Sequence, residues 1–169
     1  MSDTLETPNL RLAPVSAADA GWLQEVMLKP QVNATTLVVP TPCPPGFAET
    51  WVTEALAKRA AGRAHTYCLF EKASGRAVGS VFLLLNPEHS HAELGYFVDP
   101  GSWGKGYGSE AAEALIRFAF GSLGLNRVFA VHFSENVASG RVMQKAGMSH
   151  EGCRRRHIRK DGQIGRAHV

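Results

Sequence analysis

Between positions 101 and 111 the chain reads Gly-Ser-Trp-Gly-Lys-Gly-Tyr-Gly-Ser-Glu-Ala, with glycines at 104, 106 and 108 and Lys105 among them. The stretch follows an apolar run ending in Asp99-Pro100 and leads into alanine-rich, helix-forming sequence. A helix N-terminus carries unpaired N–H groups and roughly half a unit of positive charge, so a glycine loop ahead of it can wrap an anion in main-chain donors. Gly104, Gly106 and Gly108 would let phosphates approach where a Cβ would collide, and Lys105 adds a cation. The same glycines would equally suit a tight strand-to-helix connection that binds nothing. Two nucleotide motifs fail on spacing. A P-loop requires Ser or Thr after its lysine, whereas Gly106 follows Lys105; a dinucleotide fingerprint runs G-x-G-x-x-G with an acidic residue about 20 positions on, whereas these glycines alternate and residue 128 is a valine.

Further chemistry-bearing residues are scattered. Asn136 opens a helical stretch as a plausible N-cap, and Ser139 lies one turn inside it, where a hydroxyl either bonds back to a carbonyl or faces a cleft. Cys68 sits in an apolar strand where burial raises a thiol pKa, which argues against a nucleophile. His89 and His91 lack a third ligand nearby, so no metal is expected.

The elements that must position these residues emerge from periodicity. NLRLAPV alternates as a strand, and Ser16 caps a helix over AADAGWLQEVML that ends before Pro30. The proline-rich PTPCPPG belongs to a lid or substrate-facing loop spanning 30 to 46. FAETWVTEALAKRAAG reads as a helix closed by Gly62. HTYCLFEK and AVGSVFLLLN then form a hairpin through ASGR, and PEHS turns the chain into HAELGYFV, giving an antiparallel meander. SEAAEALIRFAFGSLG has Ala111, Leu115 and Ala119 on one helical stripe. The nearly continuous apolar RVFAVHF suggests one strand buried on both faces, joined to the meander by a right-handed parallel crossover. NVASGRVMQKA is a last helix stopping at Gly147, and MSHEGCRRRHIRK supplies a strand before a turn at Asp161-Gly162.

At 169 residues, 44% hydrophobic and 20% charged, the chain fits one globular domain with a substantial core. No apolar run approaches the roughly 20 residues of a membrane span, and the start MSDTLETPNLRL has no secretory pattern, so a cytoplasmic location and no membrane partner are expected. Three widely spaced cysteines, Cys43, Cys68 and Cys153, read as free thiols. The net charge of +3 leans on RRRHIRK at 154 to 160, more simply a solvated strand face than a nucleic-acid surface.

ELGYFVDP, WGKGYGSEA and N-x-x-S-x-x-V-x-x-x-G-M together resemble the GNAT superfamily of N-acetyltransferases, most closely its RimJ/RimL-like branch, over almost the whole chain. The resemblance implies an α+β, three-layer fold: a mixed, mostly antiparallel sheet with splayed parallel strands and helices on both faces. It implies acetyl-CoA as cosubstrate, its pyrophosphate on the amides of Gly104, Lys105, Gly106, Tyr107 and Gly108 and its pantetheine pairing with the backbone of Phe97 and Val98. The family loop is Q/R-x-x-G-x-G/A, so Gly106 and Gly108 match while Trp103 replaces the usual Gln or Arg. Glu93 would be the general base through a water, with His91, of the same strand parity, tuning its carboxylate. A backbone N–H near Phe97 or Val98 would polarise the thioester, Ser139 would donate to the departing thiolate, and Asn136 would order the cofactor. The implied reaction is acetyl transfer to a primary amine, a small molecule or a protein N-terminus, by direct attack. A catalytically silent acyl-CoA-binding module, or an inactive fragment of such an enzyme, is the alternative, and the oligomeric state, a homodimer included, stays open.

The end of the chain departs from that pattern. IGRAHV lacks strand alternation and matches the translation of ATC GGA AGA GCA CAC GTC, a common sequencing-adapter read. The expectation is therefore a single domain over 1–163, a non-native tail over 164–169, and a sheet left unpaired by the loss of a final strand.

Overall fold

The computed structural model describes residues 3–160 and 163–169. Six strands form the main sheet in the order β1 (Leu5–Glu6), β2 (Leu10–Pro14), β3 (Ala64–Glu71), β4 (Ala77–Asn86), β5 (His91–Val98) and β6 (Arg127–Ala130). Every pairing is antiparallel except β5 with β6, which runs parallel from His91 opposite Arg127 to Leu94 opposite Ala130. A second sheet holds β7 (His132–Phe133), β9 (Gln163–His168) and β8 (Cys153–Lys160) in that order. The expected α+β architecture is present.

The helices cover the two faces with two cores. On one face, α1 (Ala20–Met27), α2 (Pro30–Thr35) and α3 (Phe47–Ala60) bury Leu23, Met27, Val32 and Val52 against Cys68 and Phe97. On the other, α4 (Tyr107–Gly121) presents the predicted stripe of Ala111, Leu115 and Ala119, fully buried against Tyr67, Leu83 and Leu94. Alanines let α4 approach the sheet closely, and α5 (Val137–Lys145) joins it through Met143 and Val142. Among the described residues no helix is long and apolar enough to cross a membrane.

Three expectations are corrected. RVFAVHF is not one strand: β6 stops at Ala130, and β7 begins at His132 in the other sheet, with most of its residues only partly buried. The loop over 30 to 46 contains α2, which Pro30 starts because its missing N–H costs nothing in the first turn. Residues 164–169 do not leave a sheet unpaired. Gln163–His168 form β9, lying between β7, where Phe133 faces Ala167, and β8, where Arg154 faces Ala167 and Ile158 faces Gly165. Main-chain pairing on both edges holds this strand without side-chain alternation, and Ala167 is fully buried. The turn expected at Asp161-Gly162 lies outside the described residues.

Candidate active site

The path from β5 into α4 is pinned before the glycines begin. Asp99 N donates to Val78 O at 2.8 Å, Lys29 Nζ pairs with Asp99 Oδ1 at 2.5 Å, and Arg76 Nη2 donates to Ser102 Oγ at 3.0 Å. The chain then takes positive φ at Gly104 (79°) and Gly106 (80°), the latter capping α4. Alternating handedness of this kind turns successive amides toward one concavity. The first acceptor appears only at Glu110, whose N–H donates to Gly106 O at 3.0 Å; among the described residues the amides of 104 to 109 have none. Six free donors at a helix N-terminus fit a diphosphate. A Cβ on Gly104 or Gly106 would meet nothing within 4 Å, whereas one on Gly108 would reach Val142 at 3.4 Å. Gly108 therefore lets α4 pack on α5, and the two glycines before it shape the cradle.

Side chains of the loop do other work than expected. Lys105 Nζ is held by Glu71 Oε1 at 2.9 Å, and the Tyr107 hydroxyl donates to the same oxygen. Ser74 Oγ donates to Glu71 Oε2 at 2.6 Å. Hydrogen bonds from Ser74, Tyr107 and Lys105 hold the Glu71 carboxyl down to about 2. Glu71 thus ties both neighbours of Gly106 to the end of β3. Trp103, 53% exposed, donates its indole N–H to Val98 O at 2.8 Å.

Below the loop the sheet opens. Beyond Leu94 and Ala130 no strand among the described residues pairs with β5 on its β6 side. Asp99 N bonds toward β4 and Ser90 O accepts from Asn126 N on the β6 side, so odd residues of β5 turn their peptide groups to β4 and even residues to the gap. This corrects the expectation for Phe97, whose backbone is used by β4. Tyr96 and Val98 face the gap instead. With Val98 O taken by Trp103, the Tyr96 N–H and C=O remain for a ligand's amide and the Val98 N–H for a single carbonyl oxygen.

The gap continues into a cleft of about 450 Å³ lined by the glycine loop, Glu93 through Val98 and the start of α5. Asn136 caps α5, its Oδ1 accepting from Ser139 N at 3.2 Å. Ser139 Oγ lies 2.7 Å from the Tyr96 hydroxyl, which also donates to Ser139 O at 3.0 Å. Burial pushes the Tyr96 phenol up to about 12, against the opposing hydrogen bond from Ser139, so it stays protonated. Tyr96 escapes sequence reasoning because its partner is 43 residues away, although its shared parity with Val98 is a usable signal.

Glu93 lines the same cleft from the other face of β5. Its carboxyl is half-buried, with no hydrogen-bond partner among the described residues. Burial raises its pKa above the ordinary glutamate value, with Arg154 and His157 pulling the other way. Those two residues, and not His91, are its charged neighbours. His91 instead stacks with His89 and meets Phe129 edge-on. Burial also pushes the Cys68 thiol up, which keeps it protonated. A separate groove of about 600 Å³ beside α5 and β6 contains none of the glycine-loop residues.

The chain is similar to known proteins in sequence and in fold. Over 163 residues the chain is 28% identical to an uncharacterized N-acetyltransferase, p20, of Bacillus licheniformis, covering 96% of this chain and 91% of that protein. It is 36% identical over 86 residues to an uncharacterized N-acetyltransferase, YoaA, of Bacillus subtilis, a match spanning 50% of this chain and 49% of that relative's length. The fold superposes at a TM-score of 0.89 on RimL, a ribosomal L7/L12 alpha-N-protein acetyltransferase solved with coenzyme A, at 19% identity over 98% of this chain and 95% of that one. The model of the acetyltransferase (GNAT) domain matches residues 9–149, and the chain belongs to that family.

Proposed function

We propose that the protein moves the acetyl group of acetyl-CoA directly onto a primary amine, preferentially a protein N-terminal α-amine. The observation that carries this reading is the arrangement around β5. Free donors for a diphosphate and a free strand edge for the pantetheine arm lie beside Tyr96 and Ser139, while Glu93 approaches the same opening from the opposite face.

The chemistry divides accordingly. An α-amine has a pKa of about 7.7 to 8 against about 10.4 for lysine, so it needs only a weak base to attack as the neutral form. Glu93, raised by burial, takes the amine proton, through a water where it does not reach directly. The Val98 N–H, aimed into the gap, donates to the carbonyl oxygen as charge develops. The new C–N bond forms as the C–S bond breaks, and the thiolate takes a proton from Ser139 Oγ, which takes that of the Tyr96 hydroxyl in turn; Tyr96 regains a proton from solvent through the open cleft before the next turnover. Asn136 supports this by holding the first turn of α5.

Release of free thiol from acetyl-CoA against a panel of amines tests the proposal. Turnover should show a rising limb set by Glu93. Activity is lost as pH falls through its elevated pKa, starting at higher pH than for an ordinary glutamate. Glu93→Gln should lower kcat by about 100-fold and remove that limb. Thiol release that Glu93→Gln and Ser139→Ala together leave unchanged would instead identify a module that holds acyl-CoA without using these groups.

A further inference from the structure

Seven basic side chains, from Lys29 to Arg127, each sit against a carboxylate. The arginines of β8 do not. Arg154, Arg155, Arg156 and Arg159 are exposed and have no ion pair among the described residues; Arg154 Nη1 touches only His157 Nε2, at 3.3 Å. Arg63, Arg141 and Lys145 also lack an ion pair among the described residues, but only β8 carries four such arginines within six positions.

That strand is aimed and anchored. Its register against β9 shifts between Arg154 and Ile158, and Arg156 adopts a φ of 55°. A bulge of this kind re-aims side chains off the ladder and spoils an edge for further strand pairing, so recognition there falls to side chains. Ile158 turns inward to the core. Lys160 Nζ donates to the carbonyls of Asn33, Thr36 (2.5 Å) and Val39 (2.8 Å), fastening β8 to the segment after α2. Thr36 and Leu37 of that segment line the cleft on Glu93's side. Arg154 and His157 lie close enough to Glu93 for their charge to act on its carboxyl.

We infer that the acceptor is the N-terminal segment of an acidic polypeptide, its α-amine at Glu93 and its aspartate or glutamate side chains against the arginines of β8. This rests on the acetyl-transfer reading for the role of the amine, and adds the chemistry of the acceptor residues beyond that amine. The complementarity has two signs. A cationic terminus meets Glu93, and downstream carboxylates meet the four arginines. A nucleic acid fits less well: β8 offers no Phe, Tyr or Trp for bases to stack on.

The test uses the full chain and three peptides with a common N-terminal serine and a C-terminal fluorophore, differing only in carrying Glu, Gln or Lys downstream. Fluorescence anisotropy at low salt should give the Glu peptide about tenfold tighter binding than the Gln peptide, an advantage that shrinks with added salt. Arg154→Glu with Arg155→Glu, both at exposed positions, should erase or invert that order while leaving coenzyme A affinity unchanged. Equal binding of Glu and Gln peptides within twofold, an order that survives the double substitution, or tighter binding of a single-stranded RNA of matched charge would each overturn the inference. Thiol release measured in parallel separates the two readings. Selective binding without turnover removes acetyl transfer and leaves the acidic partner; turnover with no preference for acid does the reverse.

Discussion

Removing one oxygen, by Tyr96→Phe, tests whether the contact between β5 and α5 carries a proton or merely holds the helix. The phenol makes two contacts, to Ser139 Oγ at 2.7 Å and to Ser139 O at 3.0 Å, and its ring packs against the α4 side of the sheet. Phenylalanine keeps the ring. The expected stability loss is therefore the hydrogen bonds alone, about 1 kcal/mol each, which for a chain of this size lowers the melting temperature by roughly 4 to 8 °C. If the hydroxyl replenishes Ser139, kcat falls by about 100-fold, or about 2.7 kcal/mol of barrier, while the acetyl-CoA dissociation constant stays put. Ser139→Ala should cost a similar factor, and the double variant should be little worse than either single one, because both remove the same relay. Single-turnover thiol release on the three variants, with calorimetry for coenzyme A, measures the cycle. Effects that multiply, so that the free energies add within about 0.5 kcal/mol, would show two independent groups and refute the relay. So would a Tyr96→Phe enzyme with kcat within twofold of the parent.

Glu71→Gln should weaken coenzyme A binding about tenfold with little change in kcat, since the substitution loosens Lys105 and Tyr107 on either side of Gly106 without touching the reacting atoms. The same variant carries a pH signature: a carboxyl held at about 2 when folded and near 4.5 when unfolded stabilises the protein above the ordinary glutamate range, and that contribution disappears as pH falls toward 2. Denaturation midpoints between pH 2 and 6 should therefore fall less steeply for Glu71→Gln than for the parent. Deleting residues 163–169 should strip β7 and β8 of their shared partner and lower the melting temperature by about 10 °C or more, read by circular dichroism; an unchanged melt would contradict the pairing of β9.

Elements are legible in the sequence wherever local pattern and turn chemistry coincide. Ala77–Asn86 and His91–Val98 can be read end to end because each is an apolar, β-favouring run bounded by turn residues. α4 announces itself through Ala111, Leu115 and Ala119, and the cap at Asn136 through its position before α5. The failures are decided by distant chain. RVFAVHF is apolar throughout, so nothing local marks Val131 as the point where the partner strand changes. Pro30 looks like the end of α1, although proline serves a helix start equally well. Glu71 sits 36 residues from Tyr107, and only the folded hairpin places it under the glycine loop. Phe97 misleads for a subtler reason: adjacent strand residues offer their peptide groups to opposite neighbours, and only the bonds at Ser90 and Asp99 fix which is which.

The same parity explains how one strand keeps two proton transfers apart. Ala92, Leu94, Tyr96 and Val98 face α4 and α5, while Phe97 belongs to the core under α1, α2 and α3, so the odd side chain of Glu93 lies on that other face. β5 is then a partition, open only where β6 has left it. Among the described residues, a proton taken from the amine by Glu93 has no route through hydrogen-bonded side chains to Tyr96 and Ser139, and it leaves through solvent while the thiolate is served from its own side. Within a face, substitutions should overlap in effect, as for Tyr96 and Ser139. Across the partition they should not. Glu93→Gln combined with Tyr96→Phe should multiply the two losses, because the groups share no partner and act on different atoms of the reaction. A combined loss no larger than the single ones would mean that the two faces communicate, and that the wall assigned to β5 does not separate the base from the acid.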